Sequence, residues 1–191
     1  MKYFKKLIGE RIYLSPKGTK EEDIEKFTEW MNDFEVTDYI GKSGYICTTR
    51  GESDWLENSV LNNNARTFDI VNLNDDKLIG TVGLEDLNWI EKSATLGIFI
   101  GDKDFRSNGY GTETINLLLD YGFNYLNLHS INLTLLSVNE RAHKCYLKCG
   151  FKDVGKYRNK IYVNGKYYDE LIMDILDSEF KGNYIKNKNV K

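Results

Sequence analysis

A short glycine-containing segment between a strand-like run and a helix-like run constrains this chain more than any other feature. Residues 106–111 read Arg-Ser-Asn-Gly-Tyr-Gly, after the apolar residues 96–101 and before a segment of helical periodicity that begins at Thr112. Glycine permits positive φ and close approach of a ligand to the backbone, and the first N–H groups of the next helix point outward. Such a junction favours an anion site, to which Arg106 adds a positive charge, although the two glycines alone also fit a simple turn.

The apolar periodicity predicts one domain over residues 1–180, with elements in the order β, α, α, β, β, β, α, β, α, β, β. Strand patterns cover residues 11–14, 67–71, 78–84, 94–101 and 131–138, and helix patterns cover residues 20–31, 53–61, 112–126 and 140–149. An Asn164-Gly165 turn predicts a final hairpin of strands 160–163 and 166–168. Residues 181–191 carry four lysines and no acid, and we expect them to form a frayed basic tail.

Composition excludes several classes of protein. The chain has 191 residues with 41% hydrophobic content, enough for a core. It contains no apolar run near the roughly 18 residues of a membrane helix and no signal-peptide pattern, so a cytoplasmic location is expected. Three cysteines, Cys47, Cys145 and Cys149, include no CxxC pair. They predict reduced thiols rather than disulfides or a zinc site, and no metal is expected.

The charge is unevenly distributed along the chain. A net charge of -3 and a pI near 5.5 argue against a general nucleic-acid binder. Residues 20–60 hold eleven acidic side chains against four basic ones. This excess either attracts a cationic ligand or coats two solvated helices, and the sequence leaves both interpretations open.

Two motifs at a characteristic spacing carry a resemblance to a known family. The loop RSNGYG fits the pattern [RQ]xxGx[GA], and NERAHKCYLKCGF at residues 139–151 fits Asn, six residues, Tyr, three residues, Gly-Phe. Together they resemble the GNAT superfamily of acetyl-CoA-dependent N-acetyltransferases. Residues 78–176, about half of the chain, are similar to its branch of spermidine and ribosomal-protein N-terminal acetyltransferases.

The resemblance implies both a fold and a reaction. The expected fold is α/β (α+β), with a mixed, mostly antiparallel sheet of about seven strands, splayed after the fourth strand and flanked by about four helices. The expected reaction moves an acetyl group from acetyl-CoA directly to a primary amine within a ternary complex. Acceptors that fit are a small amine or polyamine, an aminoglycoside, or a peptide or ribosomal-protein N-terminus. Related enzymes range from monomers to large rings, so the oligomeric state stays open.

The resemblance also assigns residues to the cofactor. Backbone amides of the loop would cradle the coenzyme A pyrophosphate, the end of strand 94–101 would pair with the pantetheine, and an asparagine would contact a cofactor amide. The residues assigned in this way are Phe99, Ile100, Gly101, Arg106, Ser107, Asn108, Gly109, Tyr110, Gly111 and Asn139.

Tyr146 would point at the cofactor sulfur and is the candidate general acid. A departing thiolate with a pKa near 8.5 needs a proton, and a phenol with a pKa near 10 can supply it. The alternative is a core aromatic residue with no catalytic part.

The general base is where this chain departs from the enzymes it resembles. An amine with a pKa of about 10.4 is less than about 0.1% neutral at pH 7, so it must lose a proton before it attacks. Related enzymes often carry glutamate in an SAE context, but here the sequence reads Ser93-Ala94-Thr95. Glu85 and Asp86 are the candidate bases, acting through a water, unless they merely face solvent.

Two other functions compete with the transferase. A module that binds coenzyme A without turnover would keep the same loop. A nucleotide-binding protein for ATP or NAD is disfavoured, because the chain contains neither GxxxxGK[ST] nor GxGxxG.

Overall fold

The computed structural model describes residues 3–18 and 20–187. The strands are β1 (Leu7–Ile8), β2 (Ile12–Pro16), β3 (Arg66–Asn72), β4 (Leu78–Asn88), β5 (Ser93–Ile100), β6 (Ser130–Leu136), β7 (Lys152–Val163) and β8 (Lys166–Leu176). The helices are α1 (Glu21–Met31), α2 (Phe34–Thr37), α3 (Thr49–Leu61), α4 (Tyr110–Asn124) and α5 (Glu140–Lys148). None of these helices combines the length and the apolarity needed to span a membrane.

All the described strands belong to one sheet in the order β1-β2-β3-β4-β5-β6-β8-β7. Every neighbouring pair is antiparallel except β5 and β6, which are parallel. This confirms the predicted mixed, mostly antiparallel architecture, including the β3-β4-β5 meander and the final hairpin. The structure adds β1 and the one-turn helix α2, because a two-residue strand and a four-residue helix are too short to show a periodicity.

Side chains alternate between the two faces of the sheet and bury both of them. Ile12 and Leu14 of β2 face the cluster that contains α4 and α5, whereas Tyr13 faces the cluster that contains α1 and α3. Helices therefore cover the sheet on both sides, with α1, α2 and α3 on one face and α4 and α5 on the other.

The sheet is split between β5 and β6. Only three residue pairs join these strands, Ser93 with Ser130, Ala94 with Ile131 and Thr95 with Asn132. The β4–β5 ladder nevertheless continues to Ile100, and β6 pairs with β8 as far as Leu136. Beyond residue 95 the two strands diverge, which confirms the predicted splaying. The splayed strand, fourth in the predicted order, is β5 here because β1 precedes it.

The chain after residue 180 is docked on the domain, which corrects the expectation of a frayed tail for its described part. Ile185 is buried, and the backbone N–H groups of Tyr184 and Ile185 donate to Asp120 Oδ2 at 2.6 and 3.0 Å. Lys186 N–H donates to the carbonyl of Ile8 on the edge strand β1. A buried carboxylate on α4 and a free strand edge thus hold a segment whose composition alone suggested disorder; residues 188–191 lie outside the described residues.

We predict that Asp120 and the C-terminal segment stabilise the protein as one unit. Hydrogen bonds to a buried carboxylate are worth roughly 1.5 to 3 kcal/mol each, so Asp120→Ala should lower the free energy of unfolding by about 3 kcal/mol in urea titrations. Truncation after residue 183 should cost a similar amount, and the two changes together should cost little more than either alone. Glu57→Ala, an exposed change on α3, is the control; additive losses would contradict the coupling.

Candidate active site

The loop of residues 106–111 presents consecutive backbone donors. Ser107 and Gly109 have positive φ, 61° and 83°, and α4 begins directly after Gly109. In the described part of the chain, the N–H groups of residues 107–112 have no well-aligned acceptor, and residues 107–109 are exposed. Adjacent N–H donors at the positive end of a helix dipole suit an anion with several oxygens, such as a diphosphate.

Arg106 fastens this loop to the end of β5. Its Nε donates to the carbonyl of Ile100 at 3.0 Å and its Nη2 to the carbonyl of Gly101 at 2.6 Å. Only 12% of the side chain is exposed, and Nη1 lies 3.8 Å from Glu35. Arg106 therefore holds the backbone in place, a role that the sequence did not indicate beside the fixed positive charge expected of it.

Arg11 is a second cation at the loop, and no motif indicated it. Its Nη1 donates to the carbonyl of Asn108 at 2.9 Å, its Nε pairs with Glu113 Oε2 at 2.9 Å, and its guanidinium lies 4.3 Å from the Tyr110 ring centroid. The Arg11 side chain remains 43% exposed. It thus braces the loop from β2 while its charge stays accessible from solvent, a contact made across 97 residues of chain.

The end of β5 offers backbone beside the split. Because β6 leaves after residue 95, residues 96–99 have no strand partner on that side in the described structure, and Gly97 is exposed. The Phe99 ring packs against Phe27 and Trp30. A Cβ on Gly101 would lie 2.1 Å from the Trp30 ring, so only glycine fits there. Phe99, Ile100 and Gly101 therefore lie at the split, where an extended ligand chain can replace the missing strand.

The Asn139 side chain already forms two hydrogen bonds within the protein. Its Oδ1 accepts from the N–H of Ala142 at 3.1 Å as the N-cap of α5, and its Nδ2 donates to the carbonyl of Tyr39 at 3.3 Å. One amide hydrogen remains for a ligand. The Asn139 side chain thus sets the start of α5 and ties it to the segment after α2.

Tyr146 lies on α5 with its ring buried against Phe151. Within the described residues its hydroxyl has no hydrogen-bond partner, although buried tyrosine hydroxyls usually have one. Burial raises the pKa of Tyr146 above its ordinary value, and Cys145 and Cys149 act in the same direction. The hydroxyl therefore keeps its proton through the neutral range and is free to donate it to a ligand.

Glu85 on β4 lies on the α1/α3 face of the split, where it is paired in register with Thr95. Its Oε1 is 3.9 Å from the position a Cβ would take on Gly97. Partial burial raises the pKa of Glu85, Asp86 raises it further, and Lys42 opposes both. Asp86 follows at a break in the β4–β5 register with φ of 50°. Of the two candidate bases, Glu85 is the one that the structure places beside Gly97 at the exposed edge of β5.

A buried charge cluster lies on the same face of the sheet, around Thr81, four residues before Glu85 on β4, and the sequence did not suggest it. Lys17 Nζ lies 3.2 Å from Asp69 Oδ1, with 2% and 0% of the two side chains exposed, and donates to Thr81 Oγ1 at 3.2 Å. Asp23 and Glu52 are also buried, and burial raises the pKa of Glu52 and of Asp69. Two acids of the 20–60 segment therefore belong to the core and do not coat a solvated helix.

No group of three or more His, Cys, Asp or Glu side chains within residues 3–18 and 20–187 is arranged to hold a metal ion.

Comparisons with known proteins give a consistent result. Residues 11–152 match the acetyltransferase (GNAT) domain family. A spermidine N(1)-acetyltransferase from Vibrio cholerae is 35% identical over 129 residues, covering 68% of this chain and 74% of that protein. The probable N-acetyltransferase YjcK from Bacillus subtilis is 28% identical over 179 residues, covering 91% of this chain and 98% of its own length.

A solved structure shows the same fold. The crystal structure of spermidine N-acetyltransferase from Vibrio cholerae in complex with CoA and spermine superposes with a TM-score of 0.80 at 28% identity. The superposition covers 88% of this chain and 97% of that one.

We predict that Arg106 cannot be replaced by another cation. A lysine ammonium cannot reach two carbonyls as a planar guanidinium does, so Arg106→Lys and Arg106→Ala should both lower the Tm and weaken coenzyme A binding by about tenfold or more in calorimetric titrations. Lys103→Ala, which removes an exposed cation three residues away, should leave both nearly unchanged. Full retention of affinity in Arg106→Lys would show that only the charge matters.

Proposed function

The chain belongs to the GNAT acetyltransferase family, and from that premise we propose that its acceptor is a polyamine, deprotonated by Glu85 and acetylated beside Tyr146. The acetyl donor is acetyl-CoA, and the reaction is N-acetylation. The observation that carries the proposal is the position of the Glu85 carboxylate, beside the exposed Gly97 at the split between β5 and β6.

The donor end of the site rests on backbone groups. The N–H groups of residues 107–112 would receive the diphosphate of acetyl-CoA, with Arg11 as the nearby accessible charge. The pantetheine would run along the unpaired edge of β5 at residues 96–99 and bring the thioester toward α5. Arg106 fixes the position of the loop relative to the end of β5, because from within the loop it donates hydrogen bonds to the last carbonyls of β5.

The acceptor end rests on negative charge. Segment 20–60 carries eleven acids against four bases, and nine of these acids remain when the buried Asp23 and Glu52 are set aside. The relative from Vibrio cholerae was crystallised with spermine. A polyamine carries several ammonium groups. The negative charge of segment 20–60 that attracts a polyamine also stabilises these protonated groups, so a base must remove a proton before the nitrogen can attack. Glu85, whose pKa is raised by burial and by Asp86, would take the proton from one nitrogen directly or through a water.

The transfer itself needs one attack and one departure. The neutral nitrogen attacks the thioester carbonyl carbon, and the C=O π electrons move to oxygen to form a tetrahedral oxyanion. The N–H of Ile98, the neighbour of Phe99 that points to the free edge of β5, would donate to that oxyanion, because the N–H of Phe99 points toward β4, as that of Gly101 does. As the oxyanion electrons re-form the C=O bond, the C–S bond breaks, and the sulfur leaves with its electron pair and takes the proton of the Tyr146 hydroxyl, which no protein group in the described chain engages. The proton that the new amide nitrogen loses returns to the Tyr146 oxygen, directly or through water.

We predict that Tyr146→Phe lowers kcat by about a hundredfold or more while the KM for acetyl-CoA stays within about twofold, because the hydroxyl acts only as sulfur departs. The Tm should not fall, since the lost hydroxyl makes no hydrogen bond to the described residues and is not among the fully buried polar atoms. Tyr162→Phe, at an exposed tyrosine on β7, is the control. Unchanged kcat between pH 6 and 9 would remove Tyr146 from the mechanism.

We predict that kcat/KM falls on the acidic side of its pH profile, its acidic limb, because Glu85 becomes protonated. The base works only when deprotonated, so kcat/KM should rise as pH increases through the pKa of Glu85, which lies above its ordinary 4.5. Glu85→Gln should abolish this limb and lower kcat/KM for spermidine about a hundredfold, as measured by mass spectrometry of the acetylated amine.

The controls for this experiment test the general base, the identity of the acceptor amine and coenzyme A binding independently of one another. Asp86→Asn should keep the acidic limb, because Asp86 lies at the register break. Spermidine and spermine should give product, whereas aminoglycosides and short ribosomal-protein N-terminal peptides should not. Product from peptides alone would overturn the polyamine assignment, and coenzyme A binding without product from any amine would indicate a binding module.

A further inference from the structure

The last residue pair before the split is closed by side chains as well as by backbone. Thr95 on β5 pairs with Asn132 on β6, and both residues are half-buried. Asn132 Nδ2 donates to the Ala94 carbonyl at 3.1 Å, and Thr95 Oγ1 donates to Asn132 Oδ1 at 3.3 Å. Two side-chain hydrogen bonds thus join the strands at the point where their pairing ends.

Thr95 occupies the position where the enzymes that this chain resembles often carry a glutamate. An ionised carboxylate has no hydrogen to donate, whereas a threonine hydroxyl can donate to the Asn132 amide oxygen. With that oxygen engaged, the amide turns its NH₂ group toward the Ala94 carbonyl. Thr95 therefore orients Asn132 at the split, a use that its failure as a base does not affect.

Side-chain donors bound the free edge of β5 at both of its ends. The residues whose main-chain groups face away from β4, toward β6 and the split, are Ala94, Leu96, Ile98 and Ile100. The Ala94 carbonyl accepts from Asn132 at one end. The Ile100 carbonyl accepts from Arg106 at the other end. The groups of Leu96 and Ile98 lie between these two bonds, so the slot for an extended ligand has a fixed length.

The acyl group of the donor would lie at the closed end of this slot, because the proposed diphosphate site lies beyond the other end of β5. From the Ile98 N–H, the proposed oxyanion donor, to Leu96 beside the closed pair is two residues, or about 7 Å. Non-bonded carbon atoms stay about 3.5 Å apart, which leaves about 3.5 Å for the acyl chain. An acetyl methyl extends only about 1.5 Å beyond the carbonyl carbon, whereas the three bonds of a butyryl chain need about 3.8 Å.

We propose that the closure formed by Asn132 and Thr95 determines the acyl donor of the enzyme, because it limits the slot to a short acyl group and excludes butyryl-CoA. Asn132 is a positioning residue, since it acts through the Ala94 carbonyl and the Thr95 hydroxyl. Without its hydrogen bonds, β5 and β6 can separate by one more residue pair, which lengthens the slot by about 3.3 Å. The inference rests on the donor site of the proposed function.

The experiment compares kcat/KM for acetyl-CoA and butyryl-CoA with spermidine as the acceptor, measured by release of the coenzyme A thiol. The unmodified chain should prefer acetyl-CoA by about a hundredfold or more. Asn132→Leu, which keeps the side-chain volume but forms no hydrogen bond, should reduce this preference at least about tenfold, whereas a merely structural loss would lower both rates in parallel. An unchanged preference in Asn132→Leu, or no preference in the unmodified chain, would overturn the proposal.

Three further variants separate the closure from a general change in the sheet. Thr95→Val removes one of the two bonds at constant shape and should reduce the preference about threefold. Thr95→Ser keeps the hydroxyl and should retain the preference. Ser93→Ala, at the first of the three residue pairs, is the matched control and should leave it unchanged. Equal effects of Thr95→Val and Ser93→Ala would contradict the role of the hydroxyl.

Calorimetric titrations without an amine keep the inference distinct from the choice of acceptor. The unmodified chain should bind butyryl-CoA about tenfold more weakly than acetyl-CoA, and Asn132→Leu should bind the two within about threefold of each other. If these differences appear but no amine is acylated, the proposed acceptor reaction fails and the inference stands. If spermidine is acetylated but Asn132→Leu leaves the discrimination unchanged, the inference fails and the proposed function stands. If the unmodified chain does not bind acetyl-CoA, both fail.

Discussion

The pairing between β5 and β6, which stops after three residue pairs, is the constraint on which the rest of the site depends. A sheet interior normally leaves no backbone group unpaired, because a buried N–H or C=O without a partner costs as much as a lost hydrogen bond. Here the strands separate in the middle of the sheet, where edges are otherwise absent. The fold therefore creates an internal strand edge that water or a bound chain must satisfy, and its two walls are β5 on one side and β6 with α5 on the other.

The same split explains why Arg106 is placed where it is. The carbonyls of Ile100 and Gly101 end β5 without a strand beyond them, and the guanidinium of Arg106 takes both. An arginine before a glycine loop suggests a ligand contact when only the sequence is known. In the folded chain the Arg106 guanidinium donates hydrogen bonds to backbone carbonyls that have no strand partner because of the split. These hydrogen bonds in turn fix the conformation of the loop. In the proposed site, ligand affinity and local stability would thus both depend on the Arg106 side chain.

Local patterns were predictable from the sequence, and contacts between distant segments were not. Helical periodicity placed α4, Asn139 and Gly150 marked the limits of α5, and Asn164-Gly165 marked the last hairpin, because each depends on residues close in the chain. Arg11 at the loop, the Lys17–Asp69 pair and the Asp120 contact with residues 184 and 185 join segments 50 or more residues apart. Their residue types occur widely at surfaces, so only the fold distinguishes them.

This difference accounts for why the donor is easier to infer than the acceptor. In the proposed site the loop of residues 107–112 would bind its ligand through main-chain N–H groups, so its sequence is restricted to residues that permit the required φ, and a motif survives. The proposed acceptor side would bind through side-chain charge, and a carboxylate can be supplied from more than one strand. Thr95 stands on β5, while Glu85, its register partner on β4, brings an acid to the same place. Attraction of an acceptor by acidic side chains depends on their total charge more than on their exact positions in the sequence. The sequence at the loop therefore identifies a cofactor, whereas the acceptor is determined by a surface that the chain assembles only on folding.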